Sequence, residues 1–335
     1  MGGNSSSQAH SQDSLETPDY LDGVDITHVE KIEIELFGNS TRLMLIGTQI
    51  YSNDITIKII DEYRVIMDKV TQCLKKKRLF VLQIQCYNQC VWSVSMLNEV
   101  ADFILRTMPA INVSIVFGSS RSIYVPFINF YKKLHPIVGL LYIENPSFLK
   151  FLFDIQIKTM TLQQAVGASS SFNWLPLKYT QVNEISFEYL SMLDAIRLQG
   201  VVMPHVRVVN VLNYQCETDS SKMIFRNVCS LFPSAKQLKL EVLVNVWEDD
   251  GSIRIQKLFA QARKALDTFK NMSRWNQGNM NILIYLYAYY YGPVDKELAR
   301  KMTEYLGHKC YYKKDYVNLE ASMSNVDLKM GVTSR

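Results

Sequence analysis

Cysteine and long apolar runs are scarce in this chain, and each scarcity removes a class of protein. The chain has 6 cysteines in 335 residues, which is too few for a disulfide scaffold. No apolar run approaches the roughly 20 residues that a membrane-spanning helix needs. No secretory signal is recognisable, so we expect reduced thiols and a cytoplasmic location. Apolar residues make up 48% and charged residues 20%, which are values of a globular protein and exclude wholesale disorder.

Catalytic and phosphate-binding motifs are also absent. The chain has no H-E-x-x-H, no G-x-S-x-G and neither of the glycine-rich loops that cradle nucleotides. The cysteines Cys86 and Cys90 have no second pair at zinc-finger spacing, and the 5 histidines are scattered. The sequence therefore predicts a protein that is not an enzyme and holds no cofactor or metal.

The two ends of the chain differ in composition from the middle. Residues 1–30 carry six acidic side chains and no lysine or arginine, so we predict a disordered acidic tail over 1–25. A repeat domain is predicted over 26–310, and a C-terminal tail over 311–335. Gly2 and Ser6 match the myristoylation pattern, so Gly2 is a candidate lipidation site. An acyl chain there would make a membrane-associated signalling adaptor the alternative function, and only then is a membrane an expected partner.

A short basic run, Lys75, Lys76, Lys77 and Arg78, fits two interpretations. It matches a nuclear-localisation pattern. It also fits the last turn of a helix, where cations complement the helix dipole. A nuclear location is therefore an alternative to the cytoplasmic one.

A repeated register is the main signal in the sequence. Three segments that begin at Pro136, Pro204 and Pro233 place apolar residues 2, 5 and 7 positions after the proline. The three sets are Val138, Leu141, Ile143; Val206, Val209, Val211; and Ala235, Leu238, Leu240. Copies without proline follow Thr27, Lys77 and Thr180, a shifted copy after Pro109 has Val113 and Ile115, and a weaker copy after Gly278 has Met280, Leu283 and Tyr285.

Each copy ends in the apolar-x-apolar alternation of a half-buried strand. Segments with helical spacing precede the prolines, and a helix has to end at or before the residue that precedes a proline. The unit is therefore helix, turn, strand, and it is too small to bury its apolar faces alone. This predicts an α/β fold in which an irregular leucine-rich-repeat-like solenoid has a parallel sheet on one face and helices on the other. A doubly wound α/β fold is the alternative.

Two of these copies resemble the degenerate leucine-rich repeats of the nematode F-box-associated families. The segments that carry the resemblance are 134–143 and 230–240, and the likeness extends over roughly residues 27–290. Members of those families join a ubiquitin-ligase scaffold through an N-terminal F-box and hold a substrate with the repeats. The region before Thr27 is polar and acidic and has no F-box pattern. The resemblance thus implies a protein-binding surface related to that of a substrate receptor or an adaptor.

The strand alternation also predicts which residues face away from the core. Every x residue of an apolar-x-apolar step lies on the opposite face of the sheet. The predicted partner-binding residues are Glu33, Glu35, Gln83, Gln85, Tyr142, Glu144, Glu188, Asn210, Lys239 and Glu241. Five glutamates and one lysine make this face acidic, so the expected partner is a protein with a basic or polar segment and not a nucleic acid. An enzyme whose site is assembled from dispersed residues is the third function that the sequence leaves open, and the oligomeric state is also open.

Overall fold

A computed structural model of the chain describes residues 29–36, 41–47, 50–57, 81–86, 93–107, 112–117, 125–153, 155–163, 172–212, 214, 220–246, 251–276, 280–313 and 315–334. For the ranges up to 86 it describes the backbone and not the side chains. The predicted tail over 1–25, the candidate lipidation site Gly2 and the basic run 75–78 lie outside these residues.

The described strands form one sheet. They are β1 (Val29–Leu36), β2 (Thr41–Gly47), β3 (Ile50–Ile57), β4 (Val81–Cys86), β5 (Asn112–Phe117), β6 (Val138–Ile143), β7 (Gln156–Leu162), β8 (Gln181–Phe187), β9 (Val208–Val211), β10 (Gln237–Val246), β11 (Asn281–Tyr290), β12 (Tyr311–Lys313), β13 (Tyr316–Met323) and β14 (Val326–Ser334). Their order across the sheet is β12-β13-β14-β11-β10-β9-β8-β7-β6-β5-β4-β1-β2-β3.

Helices connect most of the neighbouring strands. The α-helices are α1 (Val94–Thr107), α2 (Val125–Leu134), α3 (Leu190–Leu198), α4 (Ser220–Leu231), α5 (Gly251–Trp275) and α6 (Lys296–Leu306). The 3₁₀-helices Pro146–Phe151 and Leu175–Tyr179 stand in the same place before β7 and β8. None of the helices described combines the length and the apolarity that crossing a bilayer requires.

The sheet is mostly parallel, and its strand order follows the chain. Strands β4 to β11 are neighbours in sequence order and pair in parallel, and β1 and β14 extend this block at its two ends. Antiparallel strands, β2 and β3 at one edge and β13 and β12 at the other, complete the sheet. The predicted mixed α/β fold is confirmed, but the expected sheet with parallel strands only is corrected at both edges. The alternation of strands with helices makes the central block parallel, since a parallel pair needs a crossover connection.

The helix–turn–strand unit forms where the sequence predicts it. Helix α2 ends at Leu134, immediately before the His135–Pro136 turn, and β6 begins at Val138. Helix α4 ends at Leu231, shortly before Pro233, and β10 follows. Helix α3 ends before Gly200, whose φ of 68° is a left-handed conformation that favours glycine. Proline and glycine therefore terminate these helices and direct the chain into the next strand.

One continuous core lies between the sheet and the helices. Residues from neighbouring strands stand side by side in register and are fully buried, as in the row Ile115, Leu141, Met160, Ile185, Val209, Leu238 and Ile282. All six α-helices contribute buried side chains to the same cluster, including Leu97, Phe127, Met192, Ile224, Leu258 and Leu298. The residues at 2, 5 and 7 positions after Pro136, Pro204 and Pro233 are all buried, as predicted. The helices therefore pack on one face of the sheet.

The structure adds strands within two long intervals of the repeat, 27–77 and 136–180. Strand β7 lies between positions 136 and 180 and buries Ile157, Met160 and Leu162 in the same register. Strands β2 and β3 lie between positions 27 and 77. The copy after Gly278 is corrected by one residue: the core takes Ile282 and Ile284, whereas Leu283 and Tyr285 are only half-buried. A shift of one residue turns every side chain of a strand to the opposite face.

The C-terminal region differs from the predicted tail. Strands β12, β13 and β14 lie within residues 311–313 and 315–334, and β14 pairs in parallel with β11 over nine residues, Ile282–Tyr290 with Val326–Ser334. Val326, Leu328 and Val332 are fully buried. The domain boundary at 310 is therefore corrected, because these strands complete the core beneath α5 and α6.

A pair of neighbouring substitutions tests this assignment. Leu328→Ala removes a fully buried side chain and is expected to lower the free energy of unfolding by about 2–5 kcal/mol. Lys329→Ala changes the exposed neighbour and is expected to change it by less than about 0.5 kcal/mol. Urea denaturation followed by circular dichroism measures both. Equal, small effects of the two substitutions would contradict the burial of β14.

Candidate functional site

The side of the sheet that faces away from the helices carries the residues between the core positions. We call it the open face. Its central row, in strand register, is Val116, Tyr142, Thr161, Ser186, Asn210, Lys239, Leu283 and Asp327. The next row toward the carboxyl ends of the strands contains Glu241, Tyr285 and Lys329 side by side. These rows follow directly from the two-residue period of a strand.

The structure brings several of the predicted partner-binding residues together. Tyr142, Asn210 and Lys239 share the central row, and Glu241 lies in the next one. Glu144 and Glu188 follow β6 and β8 directly, and each backbone N–H donates to a carbonyl of the neighbouring strand. Glu33 pairs with Gln83 and Glu35 pairs with Gln85 along the backbones of β1 and β4, but the side chains of these four residues lie outside the described part of the chain.

Short side chains form the centre of the open face. Ser114, Thr161 and Ser186 are buried, although they lie on the face opposite the helices. Neighbouring strands are only about 4.8 Å apart, so longer neighbours such as Tyr142 shield a serine or threonine between them. The centre of the open face is therefore a low floor between taller side chains.

A polar cluster fixes one of the glutamates on this floor. The Asn210 side-chain amide donates hydrogen bonds to Glu184 Oε1 at 2.8 Å and to Ser186 Oγ at 2.9 Å. Asn210 Oδ1 is buried and accepts no hydrogen bond from a described residue. Glu184 is absent from the predicted site, although it lies two residues before Ser186 and therefore on the same face. The strand alternation in the sequence therefore also assigns Glu184 to this face, two residues before the x residue of the apolar-x-apolar motif.

Tyrosines dominate the C-terminal end of the open face. We call this group the tyrosine patch: Leu243, Tyr285, Tyr287, Tyr289, Tyr311 and Tyr316. Register places Leu243, Tyr287, Gly331, Asn318 and Tyr311 in one row, and Tyr289, Thr333 and Tyr316 in the next. Leu243, Tyr287 and Tyr311 are each about half exposed, at 52%, 48% and 51%. An exposed apolar group of this kind marks an interaction surface more often than a solvated one.

The tyrosine run 285–291 begins within β11 and ends one residue after it. In the structure β14, β13 and β12 lie beyond β11, so the run is not at the sheet edge. The two-residue period divides it instead, since Tyr290 is in the core and Tyr287 and Tyr289 are exposed.

A carboxylate, that of Glu241, lies beside the Tyr285 and Tyr287 side chains of the patch. The rings of Tyr285 and Tyr287 are parallel within 1°, with centroids 6.1 Å apart. Partial burial, the negative charge of Glu241 and the neighbouring Tyr285 together raise the pKa of Tyr287 above its usual value. The Glu241 carboxylate forms no ion pair with a described residue. It therefore places a negative charge beside two aromatic rings, with Lys239 and Lys329 at nearby positions of the same face.

The residues of known chemical reactivity are dispersed. Among the described residues no three His, Cys, Asp or Glu side chains are placed to hold a metal ion. His135 Nδ1 lies 2.9 Å from the Lys132 carbonyl at the end of α2, which is a helix-terminus contact. Cys229 is exposed on α4, and Cys310 is buried, which raises the pKa of its thiol.

Comparison with protein-family models, with curated proteins and with solved structures gave no match. The function is therefore inferred from the residues of the open face.

Removal of the Glu241 charge tests the electrostatics of the tyrosine patch. Glu241→Gln is expected to lower the pKa of Tyr287, because a nearby carboxylate opposes ionisation of the phenol. Titration of ¹³C-labelled tyrosine by NMR measures this shift. Glu320→Gln, on the far side of Lys329 from Tyr285, serves as the control and is expected to leave the Tyr287 titration unchanged. An unchanged titration in Glu241→Gln would contradict the contact.

Proposed function

We propose that this chain is an irregular leucine-rich-repeat-like solenoid that binds another protein on its open face. The strand order that follows the chain and the helices on a single face support the repeat architecture. In a doubly wound fold helices cover both faces of the sheet, whereas all six described α-helices here share one core. Repeats of this kind stack because each unit buries its apolar face only against its neighbours.

One observation carries the binding proposal. The open face runs across ten parallel strands and combines a floor of short polar side chains with a patch of half-exposed tyrosines. Such a face offers many backbone-spaced positions to an extended partner, and its aromatic side chains supply contact area at low entropic cost. Tyrosine is also enriched where protein interfaces concentrate their binding energy. The proposed role is non-enzymatic recognition of a protein.

The charges of this face indicate the kind of protein. Four glutamates are half-buried on the open face or directly at the strand ends: Glu144, Glu184, Glu188 and Glu241. Two cations, Lys239 and Lys329, lie on the same face. A basic or polar segment complements this distribution, and the phosphates of a nucleic acid oppose it. The resemblance to F-box-associated repeats adds the proposal that the partner is held as by a substrate receptor or an adaptor. A cytoplasmic location belongs to the same proposal.

Affinity purification with quantitative mass spectrometry tests this function. The full chain is compared with a double variant, Tyr142→Ala with Glu188→Lys, which alters the middle of the open face. We expect the amount of a specific protein partner recovered with the variant to fall at least about tenfold, since the variant removes an aromatic contact and reverses a charge. The matched control is Tyr179→Ala with Glu99→Lys, two exposed positions on the 3₁₀-helix Leu175–Tyr179 and on α1.

The two double variants have opposite expected results. The control is expected to retain the partner at the level of the unchanged chain. Equal retention by both, with both folded by circular dichroism, would reject the open face as the binding surface. Equal loss by both would also reject it, because binding would then not depend on the face that is altered.

The N-terminal sequence supports a second candidate, a myristoylated adaptor. Gly2 and Ser6 carry this alternative. A single acyl chain gives only marginal membrane binding, and the acidic residues of 1–30 repel an anionic membrane, so we expect reversible association at most. Intact-mass measurement of protein isolated from its own cells is expected to show the added acyl mass, and Gly2→Ala is expected to abolish it. An unmodified N-terminus would exclude this alternative.

A further inference from the structure

We propose that the tyrosine patch is an anchor for arginine side chains of an extended basic segment in the partner protein. This inference rests on the proposed function and adds the chemistry and the place of the recognition. Two features of the described structure lead to it: two parallel tyrosine rings, of which that of Tyr287 is about half exposed, and a carboxylate beside them that forms no ion pair with a described residue.

The first feature is the geometry of the rings. Tyr285, Tyr287 and Tyr289 alternate along β11 and therefore share the open face, where Tyr287 is 48% exposed. A Cβ atom added at Gly331, the neighbour of Tyr287 on β14, would meet nothing within 4 Å, so there is room above the glycine for an incoming side chain. A planar guanidinium stacks on such a ring, and a cation over a tyrosine face is attracted by its quadrupole.

The second feature is the charge. Glu241 pairs with Tyr285 in the strand register, and its negative charge contributes to the raised pKa of Tyr287. A carboxylate next to an aromatic face matches a guanidinium, which donates hydrogen bonds in its plane and presents its faces for stacking. The same charge opposes a phosphate, which disfavours a nucleic acid on these rings. Charge complementarity therefore favours arginine over an apolar or anionic group.

The fold contains an internal example of this contact. Lys309 Nζ lies 5.0 Å from the centroid of the Tyr311 ring, which is at the opposite side of the patch. Tyr311 is thus already covered by a cation of the same chain, whereas no described cation lies over Tyr285 or Tyr287. The rings that no described cation covers are therefore those next to Glu241.

The spacing of the rings suits an extended segment. Side chains at alternate positions of a strand are about 6.7 Å apart, which is the repeat of Tyr285, Tyr287 and Tyr289 along β11. An extended partner presents every second side chain at the same repeat. Arginines at alternate positions of the partner can therefore meet successive tyrosines. The acidic positions toward β8 and β6, Glu188 and Glu144, continue the complementary charge across the sheet.

Fluorescence anisotropy with the full chain tests this anchor. The probe is a labelled 12-residue peptide of alternating arginine and serine, and the matched peptide carries citrulline, which has nearly the same shape without the charge. We expect the arginine peptide to bind at least about tenfold more tightly at low salt, with a difference that shrinks as salt screens the charge.

Variants of the chain separate the contribution of the aromatic ring to peptide binding from that of the carboxylate charge. Tyr287→Leu keeps an apolar side chain without the ring, and Glu241→Gln keeps the shape without the charge; each is expected to weaken binding of the arginine peptide about three- to tenfold. Tyr287→Phe keeps the ring and is expected to stay within about twofold of the unchanged chain. Tyr179→Leu and Glu99→Gln are the matched controls elsewhere on the surface, and they are expected to bind normally.

Several outcomes would overturn the anchor. These are equal affinity for the arginine and citrulline peptides, no binding of the arginine peptide, or normal binding by both Tyr287→Leu and Glu241→Gln. Tighter binding of oligo(dT), or a dimer in sedimentation that Tyr287→Leu abolishes, would assign the patch to a nucleic acid or to a second copy of the chain. The proposed function fails independently: if Tyr142→Ala with Glu188→Lys leaves the natural partner bound, the open face is rejected whatever the peptide does.

Discussion

The fold depends on the burial of one apolar row against the next. Strands β6 to β9 each present two or three large apolar side chains to the helices, and these stand in register with those of the strands on both sides. A single unit leaves its row half exposed, so burial is complete only when the neighbours are in place. The hydrophobic contribution to stability is roughly 1.5–3 kcal/mol for each large apolar side chain fully removed from water. A unit reaches this full contribution only when its neighbours are in contact with it.

This constraint also determines the other side of the sheet. Because alternate residues point to opposite faces, an apolar row toward the helices leaves every intervening residue on the open face. Short residues such as Ser186 and Thr161 there are shielded by their neighbours, while Tyr287 and Glu241 remain accessible. The core thus sets the positions of the open-face residues. At the C-terminal side of the sheet the parallel strand β14 covers the row of β11 that would otherwise be exposed.

The sequence predicted the repeat well where proline marked the turn. Before Pro136 and Pro233 the helical pattern ends abruptly, and the strands that follow bury the expected residues. Strand β7 is absent from the predicted copies, although it buries Ile157, Met160 and Leu162 in the same register. The copy after Gly278 was displaced by one residue because apolar or aromatic side chains occupy both faces of β11. Apolar and polar residues do alternate in strand β14, and its core residues are Val326, Leu328, Met330 and Val332. However, no segment with helical spacing and a terminal proline directly precedes this strand in the sequence.

For the candidate site the division is similar. The alternation in the sequence by itself determined that Tyr142, Asn210, Lys239 and Glu241 lie on the face opposite the core, since that depends only on the period of a strand. The tertiary structure decided which of these residues are neighbours, because register and strand order come from contacts between distant segments. It joined Glu184 to Asn210, and it placed Tyr287 between Leu243 and Gly331. These residues are between 26 and 88 positions apart in the chain, and they come together only when the apolar rows beneath them are buried.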